Sequence, residues 1–126
     1  MVVNGSPTNK RPAVLGAMSE LLVAAELLSL GIYVFRALVP TCPVDLVAYD
    51  ENRKLMVRIE VKTAHWPVGA DRPKCSIVEH EMKRSDVLAL STEAGVFYHP
   101  TSSKGTEFLS VLETGKIVQR PKAQVG

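Results

Sequence analysis

The chain has 126 residues, 46% of them apolar, and a formal net charge of only +2. This length and composition predict one domain over residues 1–126 with a real hydrophobic core, and they exclude a chain that is disordered as a whole. The two cysteines lack zinc-ligand spacing and indicate reduced thiols. The N-terminus has no secretory signal pattern, and charged residues break the longest apolar stretch, 21–38. We therefore expect a cytoplasmic protein with no membrane partner.

The first predicted element is a helix over residues 13–30. Pro12 suits the first turn of a helix, and Gly31 is typical of the residue that follows a helix end. The helix is apolar on most sides, which predicts that it is largely buried. We expect the polar chain ends, residues 1–11 and 115–126, to be flexible.

Strand patterns dominate the rest of the chain. Apolar, β-branched segments predict strands at 32–39, 44–50, 55–64, 86–91 and 96–100, and a short helix at 106–115. The polar turn "DENRK" joins the second and third strands into a hairpin, whereas "IVEHEMKRS" fits either a strand end or a short helical turn. The order predicts an α/β domain in which the N-terminal helix packs on a central mixed sheet, with a further helical element.

The hairpin carries an unusual set of charged residues. Side chains alternate along a strand, so Glu60 and Lys62 share one face. If the strands pair symmetrically about the turn between Asn52 and Arg53, Asp45 lies opposite Glu60. Like charges at such positions repel each other. The hairpin is therefore predicted to hold two carboxylates against their mutual repulsion, with a lysine beside them.

Two interpretations of this set are open. Paired carboxylates are what Mg²⁺ or Mn²⁺ requires, and with Lys62 they would supply metal-assisted phosphodiester hydrolysis. Alternatively, Asp45, Glu60 and Lys62 are only the solvated side of a half-exposed sheet. No Gly-rich phosphate loop or zinc-finger spacing offers a different chemistry.

These residues also resemble a known family. "PVD", then fourteen residues, then "EVK" resembles the PD-(D/E)xK nuclease superfamily, with Val44 inserted in the first element. "GAMSELLVAAELLSLGIYVFRALVP" and "DVLALSTEAGVFYHP" resemble elements of the small archaeal Holliday junction resolvases and of the related intron-encoded PD-(D/E)xK homing endonucleases. The resemblance covers residues from about 16 to 100 and implies a restriction-endonuclease-like core.

The resemblance also implies roles for individual residues. Asp45 and Glu60 would ligate Mg²⁺, or Mn²⁺ as a substitute, together with the backbone carbonyl of Val61. Lys62 would position the attacking water or stabilise developing charge. Glu20, on the first helix, would bind the metal or orient a group at the metal. Glu26 lies on the same helix, and local sequence does not choose between the two glutamates.

The implied function is a metal-dependent DNA endonuclease that leaves a 5′-phosphate. Holliday junction resolvase-like cleavage is the preferred subtype, with homing or restriction-type cleavage next. A chain of this length has little surface for sequence-specific readout, which favours structure-selective binding. Because such enzymes cut two strands, we expect a homodimer or higher homo-oligomer, with "VFYHP" and the terminal helix as candidate interface segments. A non-catalytic nucleic-acid-binding or assembly module, or a purely structural domain, remains possible because fold does not determine function.

Overall fold

The structure is a computed structural model, and it describes residues 12–112 and 116–124. Its helices are α1 (Pro12–Ser29), α2 (Glu79–Lys83) and α3 (Ser103–Ser110). Its strands are β1 (Tyr33–Arg36), β2 (Leu46–Asp50), β3 (Leu55–Thr63), β4 (Lys74–Cys75), β5 (Val87–Thr92), β6 (Gly95–Pro100) and β7 (Lys122–Ala123).

Five strands form one mixed sheet in the order β1-β2-β3-β5-β6. Its neighbours are antiparallel except for β3 and β5, which are parallel. A parallel pair needs a crossover connection, and here that connection contains β4 and α2. Apolar residues of α1 and α3 pack on one face of the sheet, whereas α2 and β4 contribute Met82 and Cys75 to a second cluster with Leu88 and Leu90. The predicted α/β architecture, an N-terminal helix on a central mixed sheet, is confirmed.

The first helix ends where the sequence predicts. Gly31 has a φ of +84°, a conformation that glycine adopts without strain. The Ile32 N–H donates to the Leu27 carbonyl at 3.0 Å, and the Gly31 N–H donates to the Leu28 carbonyl at 3.0 Å. This is a Schellman motif, which satisfies two carbonyls at the helix end. It turns the chain directly from α1 into β1.

The prediction that this helix is largely buried is wrong. Only Ser19, Val23 and Leu27 of α1 are buried. Six large apolar side chains lie on its outer side, each 40–55% exposed: Val14, Leu15, Met18, Leu21, Leu22 and Leu28. The sheet covers only one side of the helix, and among the described residues no second layer lies outside it. By length and hydropathy α1 also meets the criterion for a membrane span, which the core helix of a soluble protein can meet too.

The C-terminal segment also differs from expectation. Residues 116–124, predicted to fray, are held by backbone hydrogen bonds to other parts of the chain. The Val118 N–H donates to the Tyr98 carbonyl at 2.9 Å, and β7 pairs with β4. Flexibility predicted for residues 1–11, 115, 125 and 126 lies outside the described residues.

The two segments proposed as a dimer interface lie largely in the core. Tyr98 and Phe108 are fully buried, and Val96 and Leu109 are at most 7% exposed. These side chains pack with α1 and the central strands in one hydrophobic cluster. Their apolar character therefore serves folding, and the interface prediction for these segments is corrected.

Close packing of α3 on the sheet gives a stability prediction. A Cβ at Gly105 would lie 1.8 Å from the Asp86 backbone oxygen, whereas a Cβ at Gly16 meets nothing within 4 Å. We expect Gly105→Ala to destabilise the protein by about 2–3 kcal/mol, because backbone atoms would have to move. Gly16→Ala should stabilise it by about 0.5–1 kcal/mol through helix propensity. Urea denaturation measures both, and equal stability of the two variants would contradict the packing.

Candidate metal centre

The hairpin register places the two predicted acids opposite each other. Leu46 pairs with Ile59 across the antiparallel ladder, so the preceding Asp45 lies opposite Glu60, which confirms the predicted register. The Asp45 carboxylate leaves the ladder and accepts the Val61 N–H at 2.8 Å. A carboxylate oxygen thus takes the position of a backbone acceptor. Asp45 is held against β3 by this bond and faces Glu60.

Glu60 is a buried acid. Glu60 lies on β3, on the sheet face that the crossover between β3 and β5 covers, and it is only 5% exposed. The interpretation that Asp45, Glu60 and Lys62 are only the solvated side of the sheet is therefore wrong for Glu60. Burial, repulsion from Asp45 and Glu81, and a hydrogen bond with Asp45 raise the pKa of Glu60 to about 8, although Lys62 opposes the shift. Burial and the neighbouring acids therefore favour the protonated form of this carboxyl group.

Lys62 lies two residues farther along β3 and forms an ion pair. Its Nζ lies 2.6 Å from Glu81 Oε1, and both side chains are mostly buried. Sequence reasoning missed Glu81 because the segment that contains α2 was ambiguous. The parallel pairing of β3 with β5 would have indicated this contact. The connection between two parallel strands passes over one face of the sheet, and here it brings α2 over Lys62.

Glu20, and not Glu26, lies near Asp45. Burial and repulsion from Asp45 raise the pKa of Glu20, whereas Arg36, 3.5 Å away, lowers it. Glu26 instead accepts a hydrogen bond from the Tyr98 hydroxyl at 2.7 Å and pairs with Lys116 at 3.0 Å. The choice that the sequence left open is thereby made by the tertiary structure.

A cleft opens beside Asp45. It has a volume of about 330 Å³ and is lined by Glu20 and Arg36 together with the loop between β1 and β2. Arg36 is half exposed, so the cleft offers both a carboxylate and a cation to solvent. Asp45, one member of the acid pair, forms part of its wall.

The donor set fits a small, hard divalent cation. Asp45 and Glu60 supply carboxylate oxygens, and the carbonyl of Val61 points to the same side of β3 as the N–H that holds Asp45. Within the described ranges, no three His, Cys, Asp or Glu side chains converge as a ready metal cluster. Two carboxylates and one carbonyl are therefore the ligands that this site can supply directly, with Glu20 adjacent to Asp45.

Three other polar or aromatic residues lie away from this centre. Trp66 packs on Phe97 with ring centroids 4.9 Å apart, as expected for a residue at the sheet edge. His65 pairs with Glu93 on the surface, and His80 is exposed. None of these side chains contacts the acid pair through a hydrogen bond or ion pair in the described part of the chain.

Comparisons with known proteins identify a fold. No family model matches the chain, and a search of curated proteins found no match. Among solved structures, the chain is similar to a bacterial homing endonuclease, I-Ssp6803I, with a TM-score of 0.58 and 14% sequence identity. The match covers 72% of this chain and 66% of that one, just under two thirds of its length. At this identity the likeness shows the fold, which is a nuclease-like core as predicted.

The raised pKa of Glu60 predicts how stability depends on pH without metal. The folded protein keeps the Glu60 proton up to about pH 8, whereas an ordinary glutamate loses it near 4.5. The folded state thus binds more protons between these values, and stability should fall as pH rises through this window. The slope is at most about 1.4 kcal/mol per pH unit. Glu60→Gln should remove this slope and stabilise the protein most at pH 8 and above.

Denaturant titrations in EDTA at several pH values between 5 and 9 measure this difference. Glu107→Gln, at an exposed position of α3, is the matched control and should keep the wild-type slope. Parallel stability profiles for the wild type and Glu60→Gln would show that Glu60 has an ordinary pKa.

Proposed function

We propose that this chain is a metal-dependent DNA endonuclease that hydrolyses phosphodiester bonds in the cytoplasm. The observation that supports it is the repulsive pair formed by half-buried Asp45 and buried Glu60, held in register beside Lys62. Such a pair destabilises the fold unless a proton or a cation lies between the acids. A structural domain gains nothing from this arrangement, whereas a metal-binding site requires it.

Mg²⁺, with Mn²⁺ as a substitute, suits the proposed ligands. Asp45, Glu60 and the Val61 carbonyl would hold the ion, because carboxylate and carbonyl oxygens are its preferred donors. When bound, the ion supplies Lewis-acid activation of the phosphodiester and of a water. Glu20 would bind the ion, or orient a group bound to it, from the side of α1. Repulsion from Asp45 already raises the pKa of Glu20 there.

The remaining side chains divide the other tasks. A cation bound between the acids would offset their repulsion and favour the ionised form of Glu60, whose proton would pass to solvent. Lys62 lies on the same face of β3, where its ammonium group contacts a phosphate oxygen or orients the attacking water. Glu81 holds that ammonium group within 2.6 Å and thereby fixes its position. Arg36 offers a phosphate contact at the cleft wall.

Structure-selective cleavage of branched DNA, as in the Holliday junction resolvases of the PD-(D/E)xK superfamily, is the preferred subtype. The chain is short and leaves little surface for sequence-specific base contacts, which favours recognition of DNA shape. Lys83 and Arg84 are exposed at the end of α2 and can contact phosphates. Homing or restriction-type cleavage is next, in line with the structural similarity to a bacterial homing endonuclease. Paired cuts that leave 5′-phosphates would need a homodimer or higher oligomer.

A second candidate is a DNA-binding or assembly module without catalysis. The ion pair between Lys62 and Glu81 favours it, because an ammonium group that is neutralised by a carboxylate is less accessible to a phosphate. The two functions differ in a direct assay, since the module would bind DNA without cutting it.

The decisive experiment is a cleavage panel on junction, flap, duplex and single-stranded DNA, with Mg²⁺ or with EDTA. We expect metal-dependent cleavage that falls at least about 100-fold in Asp45→Ala and Lys62→Ala, while DNA binding is retained. Asp71→Ala, at an exposed turn away from the site, is the control and should cleave normally. Binding without cleavage of any substrate, in Mg²⁺ or Mn²⁺, would support the non-catalytic module.

Thermal melts test the metal site without DNA. Mg²⁺ should stabilise the wild type by about 1.4 kcal/mol at ten times its Kd. Asp45→Asn should be more stable than the wild type in EDTA at pH 8 and above, because repulsion between the ionised acids is relieved while an oxygen remains to accept the Val61 N–H. It should also lose the response to Mg²⁺. A wild-type melting temperature that does not change with millimolar Mg²⁺ or Mn²⁺ would exclude a functional site here.

A further inference from the structure

The outer side of α1 is an exposed helix surface without charge. We call it the α1 outer face and define it by its exposed residues: Pro12, Ala13, Val14, Leu15, Met18, Leu21, Leu22, Ala25, Leu28 and Ser29. Nine of these ten are apolar and none is charged. Helices that face water normally carry charged and polar residues on that side. The α1 outer face therefore needs a cover of similar polarity.

The charged residues of α1 point the other way. Its only two charges, Glu20 and Glu26, are partly buried on the inner side. There they pair with Arg36 and Lys116. The usual arrangement of an amphipathic helix is thus reversed in part: the core side contains ion pairs, and the solvent side contains leucines.

The spacing of the exposed residues indicates another helix as the cover. Val14, Met18, Leu21, Ala25 and Leu28 follow one another at intervals of four, three, four and three residues. This is the spacing at which two helices interlock their side chains along a seam. Leu15 and Leu22 flank that seam on one side. The pattern runs from Val14 to Leu28, which is 15 of the 18 residues of α1 and a length of about 22 Å.

We propose that the α1 outer face packs against the same face of a second copy of this chain, related by a two-fold axis. Such an interface is self-complementary, so a single uncharged apolar seam is sufficient to form it. The six half-exposed side chains amount to on the order of 500 Å² per copy, and a pair buries on the order of 1,000 Å². This area is near the lower limit for a specific interface and predicts a dimer with a Kd in the micromolar range.

A membrane surface is a weaker occupant for this face. Helices that lie on membranes carry Lys and Arg along their polar side, whereas α1 contains neither. Val23 and Leu27 on its inner side are completely buried in the core, so α1 cannot leave the domain to span a bilayer without exposing that core. These two observations favour the second copy.

The inference is independent of the proposed catalysis, although a dimer would suit an enzyme that cuts two strands. It also moves the interface from the buried segments predicted above to an exposed one. The test of the dimer uses neither DNA nor metal. The dimer proposal can therefore fail while the nuclease proposal stands, and the nuclease proposal can fail while the dimer proposal stands.

Sedimentation equilibrium of the full chain between about 1 and 100 µM tests the dimer. Met18→Glu should raise the dimer Kd at least about 100-fold, because the seam would bury two carboxylates. Met56→Glu is the matched control: Met56 is 47% exposed on β3 and Met18 is 51% exposed on the seam. It should dimerise like the wild type. A wild-type monomer throughout this range, or equal weakening by both substitutions, overturns the proposal.

A crosslink gives a second readout for a variant that remains folded. Leu21 lies at the middle of the seam, so Leu21→Cys should form a disulfide-linked dimer on mild oxidation, in a Cys42→Ser background that removes the exposed native thiol. Met56→Cys in the same background should not form one. Absence of the Leu21→Cys dimer overturns the proposal. Binding of the wild type to vesicles of phosphatidylcholine and phosphatidylserine, abolished by Met18→Glu in a protein that stays monomeric, also overturns it.

Discussion

The register of the β2–β3 hairpin is the constraint on which the candidate site depends. A shift of one residue would move Asp45 away from Glu60 and turn alternate side chains to the wrong face. The turn itself resists such a shift. The Asp50 carboxylate accepts the backbone N–H groups of Asn52 and Arg53 and pairs with the Arg53 side chain at 2.6 Å. The Arg53 guanidinium then donates to two carbonyls at the end of α3, so the turn is anchored to a neighbouring helix.

A second constraint is the parallel pairing of β3 with β5. The crossover passes over the face that bears Glu60 and Lys62, and Glu60 is buried there. The same element supplies Glu81, whose charge both pairs with Lys62 and adds to the repulsion at Glu60. One topological feature therefore produces the burial, the raised pKa and the fixed lysine. Residues whose pKa values are perturbed by burial and by a specific neighbour are concentrated at functional sites, and this cluster fits that pattern.

The fold and the acid pair were predictable from sequence because they rest on local patterns. A polar turn between two alternating strands determines which residues face each other, and the observed pairing of Leu46 with Ile59 follows from counting outward from that turn. Glu81 and the partners of the helix glutamates were not predictable, since they depend on contacts between residues far apart in sequence. Arg36 approaches Glu20 from β1, and Tyr98 approaches Glu26 from β6. Neither contact is indicated by the sequence of the helix.

The first helix shows why apolar composition alone does not predict burial. Three inward positions, Ser19, Val23 and Leu27, are enough to attach α1 to the sheet, and the Ser19 hydroxyl even forms a 2.7 Å hydrogen bond with Thr63. The helix therefore has more apolar residues than its own core can bury. The exposed apolar side chains on successive turns weaken solubility and contribute nothing to the packing of the folded monomer. Their burial in another contact would be favourable. A helix with Glu20 on its inner side and leucines on its outer side can thus belong to the site and to a subunit interface together.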